Sequence, residues 1–146
     1  MAAWPGFVDV ARPESTFWQT LSKGMRGRWH AQRHEDVAGV GIPDVSYGLR
    51  GADGWLELKV LPDWPVRPST IVRIHHFTSA QRAWLKLRGS AGGGRCFLFL
   101  RVQDEFLLLS HEHVHLEDVY TRLELFERGH VMSPRMDFDL LVDLLS

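Results

Sequence analysis

Two hydrophobic periods alternate along this chain. Phe17, Leu21 and Met25 recur every fourth residue, which lines them up on one helical face. Pro13 to Thr16 supply helix-start chemistry ahead of them, so the pattern predicts a helix over about 14–26, interrupted near Gly24 or Gly27. It runs into a basic stretch, Arg26, Arg28 and Arg33, with Trp29 and His30 interleaved, and then into the Gly-rich connection "VAGVGIP". The period then changes to two. Residues 44–49 and 54–60 alternate around "RGADG", a turn by composition, and predict an antiparallel hairpin. "LPDWPVRPS" is too rich in proline for anything but a loop or an edge, and "TIVRI" (70–74) predicts a short strand. "TSAQRAWLKLRG" predicts a helix with Thr78 as N-cap, Ala80, Ala83, Trp84 and Leu87 on one face, and Gly89 as its stop. After the linker "SAGGG", "RCFLFLRV" and "EFLLLS" predict two nearly continuous apolar strands around a tight "QD" turn, suited to the centre of a covered sheet. Two amphipathic pieces follow, about 114–127 and 136–145, separated by "RGHVMSP". The order implies one mixed α/β domain with a sheet of about five strands flanked by helices, a core over about 14–110 and a helical extension over about 111–146.

Composition narrows the class. The chain has 146 residues, 45% hydrophobic and 24% charged, which fits one soluble domain with a real core. "MAAWPGFVDV" lacks the basic and apolar regions of a signal peptide, and no apolar run approaches the ~18–20 residues that span a bilayer. The expected location is therefore cytoplasmic. The lone Cys96, inside "CFLFL", reads as a buried thiol and excludes a disulfide framework or a cysteine zinc site. Net charge is −1, yet residues 1–102 hold 14 Lys/Arg against 8 Asp/Glu while residues 103–146 hold 3 against 10. Such a split suits a polyanion-binding front and an acidic far side, or ordinary solvated helices.

The chemistry lies in "GIPDVSYGLRGADGWLELKV", residues 41–60. Leu56, Leu58 and Val60 share one face of the predicted strand; Trp55, Glu57 and Lys59 share the other. Glu57 and Lys59 thus project side by side, ~7 Å apart, and a simple hairpin register puts Asp44 and Ser46 on their side. Neighbouring carboxylates repel unless one is protonated or a cation lies between them. Mg²⁺ suits such a pair, since it takes oxygen ligands and keeps waters that a phosphate can replace; the backbone carbonyl of Leu58 is a further candidate ligand. Lys59 would then help deprotonate the attacking water and stabilise the transition state of phosphodiester hydrolysis. The plain alternative is a surface Glu–Lys pair on a half-exposed strand.

Pro43-Asp44 followed by Glu57-Leu58-Lys59 resembles the signature of the PD-(D/E)xK nuclease superfamily. With "RHED" before it and "HHFTSAQRAWL" after it, residues 33 to 109 look like the small phage-type endonucleases and Holliday-junction-resolvase-like nucleases, akin to VRR-NUC domains. The resemblance implies a restriction-endonuclease-like fold and a Mg²⁺-dependent endodeoxyribonuclease, with Mn²⁺ as a substitute, acting on branched or structured DNA. It further implies a homodimer in a bacterial or phage-infected cell. Asp44 and Glu57 match the family's metal ligands and Lys59 its lysine. An additional glutamate is common near the first helix; Glu35 of "RHED" matches it, with Glu14 as competitor, whose plain role is a favourable charge at a helix N-terminus. The family often has a glutamine where Gln81 stands, although Gln81 also completes a capping box with Thr78. Arg33, Arg67, Arg73 and His76 are candidates for sequence-neutral phosphate contacts.

Two rival readings remain open on sequence alone. One is a nuclease fold that binds DNA without cutting it, in phage replication or packaging. The other is a metal protein built on "SHEHVH", where His111, His113 and His115 alternate onto one face if the segment is extended. "SAGGGR" lacks the G-K-[ST] ending of a phosphate loop, so no nucleotide cofactor is expected.

Overall fold

The computed structural model describes residues 11–35 and 38–146, without the side chains of Ala11 and Arg12. The readings made above for residues 1–10 lie outside them. These residues form helices α1 (Ala11–Gly24), α2 (Ser79–Ala91), α3 (Arg122–Arg128) and α4 (Phe138–Leu145). The strands are β1 (His30–Arg33), β2 (Val45–Leu49), β3 (Ala52–Leu61), β4 (Cys96–Val102), β5 (Glu105–Ser110) and β6 (His130–Met132). The six strands make one sheet in the order β1-β2-β3-β4-β5-β6. Neighbours pair antiparallel except β3 and β4, which run parallel and are joined by the crossover carrying α2. This is the expected mixed α/β architecture, with six strands instead of about five.

Both sheet faces are covered. On one, Phe17 and Leu21 of α1, Met25 just after it, and Leu141, Val142 and Leu145 of α4 pack over Val45, Tyr47, Leu56, Leu58, Phe99 and Leu108. Each such side chain contributes roughly 1.5–3 kcal/mol by leaving water. The Tyr47 hydroxyl donates to the Leu145 carbonyl at 2.8 Å and ties α4 to β2. On the other face Leu85 of α2, Leu125 of α3 and Val72, Ile74 and Phe77 cover Cys96, Leu98, Leu100, Leu107 and Leu109. The runs of β4 and β5 are continuously apolar because both of their sides are core.

Several expectations change. The basic stretch after α1 contains β1, and "RGHVMSP" contains β6. Both strands are too short, at 4 and 3 residues, for a period to register. The hairpin turn is only Arg50 and Gly51, both at positive φ, so the "ADG" of the expected turn belongs to β3. "TIVRI" is not a strand: Ile71 makes an isolated bridge to Thr121, and the rest runs irregularly. On α2 the buried residues are Arg82, Leu85 and Gly89, not the face drawn through Leu87, which is 71% exposed. Gly89 does not end the helix, which runs on to Ala91 with Gly92 as C-cap. Its missing Cβ is needed because the His111 ring would lie 2.1 Å from it. His111–His113 form a short 3₁₀ turn, so the three histidines do not share a face of an extended segment. No described helix is long and apolar enough to cross a membrane.

Candidate active site

β3 outlasts β2. Their pairing begins at Val45 opposite Leu56, so Glu57 to Leu61 are held on the β4 side only. An open strand edge leaves backbone groups without partners. Asp44, the residue just before β2, covers this one: its Oδ2 accepts the N–H of Leu58 at 2.8 Å. A strand residue directs its N–H and C=O to the same side, so the Leu58 carbonyl belongs to that edge as well. The Asp44 carbonyl accepts from His34 N at 2.7 Å, which extends β1 alongside. The approach to Asp44 is fixed by Gly41 at φ +88°, where a Cβ would lie 2.3 Å from the Ala80 carbonyl oxygen at the start of α2.

Glu57 and Lys59 point to the α2 side of the sheet, and that side is not a surface. They are 1% and 3% exposed, which excludes the reading of a solvated Glu–Lys pair. The strand partners opposite them on β4 are Leu98 and Leu100. Lys59 Nζ donates to the His76 carbonyl at 2.7 Å, lies 3.4 Å from Glu57 Oε1 and 3.8 Å from a Glu14 carboxylate oxygen, and sits 5.9 Å from the Phe77 ring centroid. At 3.4 Å the ammonium attracts Glu57 by charge, yet both Glu57 oxygens are buried with no hydrogen-bond partner. A buried carboxylate left so is costly. Burial first, and then the charge of Asp44, push Glu57 up to about 9, against the opposing pull of Lys59. Burial also raises Glu14, with Asp44 adding to the rise and Lys59 and Arg33 opposing it.

The expected residues divide in two. Asp44, Glu57, Lys59 and Leu58 come together as the hairpin register required. Glu14 joins them through its ion pair with Lys59 and its field at Asp44, whereas Glu35, favoured as the extra acid, is exposed in irregular chain after β1. The reason is visible in α1: Glu14, Phe17 and Leu21 form one i, i+3, i+7 stripe, so the helix that packs on β3 carries Glu14 down with its core residues. That stripe was the signal for Glu14. Asp36, next to Glu35, lies outside the described residues. Gln81 is engaged in the capping box, its Oε1 accepting from Thr78 N at 2.9 Å and its N–H donating to Thr78 Oγ1 at 3.1 Å.

Of the candidate phosphate contacts, Arg33 is exposed on β1 and its charge reaches Glu14. Arg73 and His76 are exposed on the segment whose His76 carbonyl holds Lys59. Arg67 instead lines a separate groove with Pro65, Val66, Arg122 and Phe126. Sequence gave no sign of the support under that segment. Arg82, buried in α2, donates to the Phe77 carbonyl at 3.0 Å, to the His115 carbonyl at 3.2 Å and to Asp118 at 2.6 Å, while Asp118 also accepts from Ile74 N at 3.2 Å.

Among the described residues, no group of three or more His, Cys, Asp and Glu is placed to hold a metal ion, and this removes the ground for a site on His111, His113 and His115. For Asp44 and Glu57 the donor chemistry does fit a hard divalent cation: one carboxylate on the strand edge, and one buried beside it with two oxygens unsatisfied.

No family model matches the sequence. No curated protein matches it either. Among solved structures, the chain is similar to Hjc, a Holliday junction resolvase from the archaeal hyperthermophile Archaeoglobus fulgidus, with a TM-score of 0.58 at 11% identity, covering 88% of this chain and 98% of that one. The fold is therefore restriction-endonuclease-like.

Proposed function

We propose that this protein engages DNA and hydrolyses its phosphodiester bonds at the cluster of Asp44, Glu57, Lys59 and Glu14, with a divalent cation, Mg²⁺ or Mn²⁺, as cofactor. The observation that carries the reading is Glu57, buried beside a second carboxylate, with the Lys59 ammonium at 3.4 Å but no hydrogen-bond partner on either oxygen. Isolated buried carboxylates are disfavoured unless something binds them. Asp44, Glu57 and the Leu58 carbonyl would hold the cation, with Glu14 in the place first given to Glu35. A bound Mg²⁺ supplies a Lewis acid and lowers the pKa of a water ligand. Lys59, fixed by the His76 carbonyl, presents its charge to a phosphate oxygen where negative charge develops. Gln81, at the same helix end that Gly41 touches, caps the helix and faces no demonstrated reactant.

Branched DNA is the substrate to try first, by analogy of fold with the junction resolvase. Cutting both strands of a junction needs two such sites, so we expect a homodimer. The test is incubation with plasmid and four-way-junction DNA plus Mg²⁺. Cation-dependent cleavage lost in Glu57→Ala is expected; no cleavage, or cleavage that survives the substitution, would overturn the reading.

A second reading has its own observation. The donor atoms as arranged do not converge as a three-ligand set, and Lys59 already lies among Glu14, Glu57 and the His76 carbonyl. That agrees more directly with a nuclease fold that binds DNA without cutting it. Tight DNA binding with no turnover in any divalent cation is its signature.

A further inference from the structure

The sheet face that carries Glu57 continues past the cluster. Registers place three rows across β1, β2 and β3: His34 beside Asp44 with Glu57 beyond, then Gln32, Ser46 and Trp55, then His30, Gly48 and Asp53. Successive rows lie ~7 Å apart along the strands. The second and third rows, together with Arg88 of α2, line a cavity of about 320 Å³. Room for it comes from Gly48, where an added Cβ would meet only Asp53 Oδ1 at 3.7 Å.

The walls have a definite chemistry. Trp55 and Trp84 meet edge to face at 4.8 Å between centroids, and the Arg88 guanidinium lies over both rings, at 5.8 and 5.0 Å. The His34 ring lies 5.5 Å from Trp55 and is hydrogen-bonded at 2.7 Å to Ser46 Oγ, so the passage from the carboxylate row to the cavity is itself aromatic and polar. Gln32 and Asp53 stand on the rim, exposed. A carboxylate there repels a phosphate, but it accepts from the amino group of a base, as Gln does from adenine. A planar Trp55 wall, backed by Trp84 from outside the cavity, the Arg88 cation and hydrogen-bonding groups at the edge suit a nucleobase taken out of its stack.

We propose that this cavity receives an unpaired base of the DNA strand whose phosphate lies at the Asp44–Glu57–Lys59 cluster, which makes the protein selective for DNA with an unstacked nucleotide over continuous duplex. The proposal rests on the DNA reading of that cluster and names its substrate class. Trp55 and Arg88 form the stacking wall, Gln32 and Asp53 read the base edge, and Gly48 keeps the floor open.

The experiment is fluorescence anisotropy of the full chain in EDTA, so that binding is read without cleavage. The probes are a labelled blunt duplex and the same duplex with one unpaired cytosine. The unpaired base is expected to strengthen binding about tenfold, a typical stacking contribution. Gly48→Val, which fills the floor at a strand position where a Cβ meets nothing closer than Asp53 Oδ1 at 3.7 Å, and Arg88→Ala, at an exposed site, should each bring the ratio close to unity. Blunt-duplex affinity should stay unchanged in Gly48→Val. Equal affinity for the two probes in the unaltered chain overturns the proposal, as does a ratio that survives both substitutions. Failure to bind either probe removes the DNA reading and this inference together, whereas cleavage of plasmid without any preference for the unpaired base removes the inference alone.

Discussion

The carboxylate of Asp44 occupies the place of a missing strand: at 2.8 Å it accepts the Leu58 N–H that β2, which begins only at Val45, does not reach. Asp44→Ala leaves that donor unpartnered and is expected to cost about 1–3 kcal/mol. Asp44→Asn keeps an acceptor and should cost less. Urea unfolding of the two variants separates the edge-closing role from that of the negative charge.

Glu57 makes stability depend on pH in an unusual direction. In the folded chain its carboxyl is held up at about 9 against an ordinary 4.5, so the folded state keeps a proton that the unfolded state releases. Stability without divalent cation should therefore be greatest below about 4.5 as far as this group is concerned, and fall as pH rises toward 9. Glu14, also raised, acts with the same sign. Glu57→Gln should flatten the fall and, at neutral pH, stabilise the metal-free chain by about 1–3 kcal/mol. Thermal melts across the pH range check both.

Mg²⁺ or Mn²⁺ should raise the unfolding temperature of the unaltered chain. At a free cation concentration about 100 times its Kd the gain is about 2.7 kcal/mol. Asp44→Asn and Glu57→Gln should each abolish most of it. A melt that ignores the cation in the unaltered chain would count against the cofactor assignment.

Lys59→Met keeps the length of a side chain that is 3% exposed while removing its charge and its hydrogen bond to His76. Cleavage of a plasmid substrate should fall by about 10²–10³, the usual loss for one donor to a developing oxyanion. Affinity for duplex DNA in EDTA should change only a few-fold.

Asp118 supports the segment that presents the His76 carbonyl, although it does not touch the cluster. Asp118→Ala strands Arg82, 5% exposed, without its carboxylate and should destabilise the fold by about 3–5 kcal/mol. Denaturant unfolding measures it.

Much of this was legible in the sequence, and the exceptions have physical causes. The alternation of Val45, Tyr47 and Leu49 against Leu56 and Leu58 was enough to tell which residues share a face, and so to put Asp44 on the side of Glu57 and Lys59. The register itself is set by the two-residue turn at Arg50 and Gly51 that "RGADG" concealed. The placement of Glu14 was written in the stripe it shares with Phe17 and Leu21, but a glutamate at a helix start has a sufficient local explanation, and that explanation hid the tertiary one. For α2, a capping box was correctly read at Thr78, while the buried face was not: Arg82 points inward because Asp118 and the carbonyls of Phe77 and His115 wait for it, and two of those partners, His115 and Asp118, lie more than thirty residues away. β1 and β6 are strands because neighbours offer them edges, not because their own residues demand it.

The parallel pairing of β3 with β4 also sets the tempo of folding. Each half of the sheet can begin locally, one at the turn of Arg50 and Gly51, the other at Gln103 and Asp104. Joining them brings Glu57 beside Leu98 only after the whole crossover from Pro62 to Arg95 has been gathered in. Loop closure of that length precedes its reward, which slows such steps. The cluster lies along that seam, so its carboxylates are buried late, once both halves of the sheet have met.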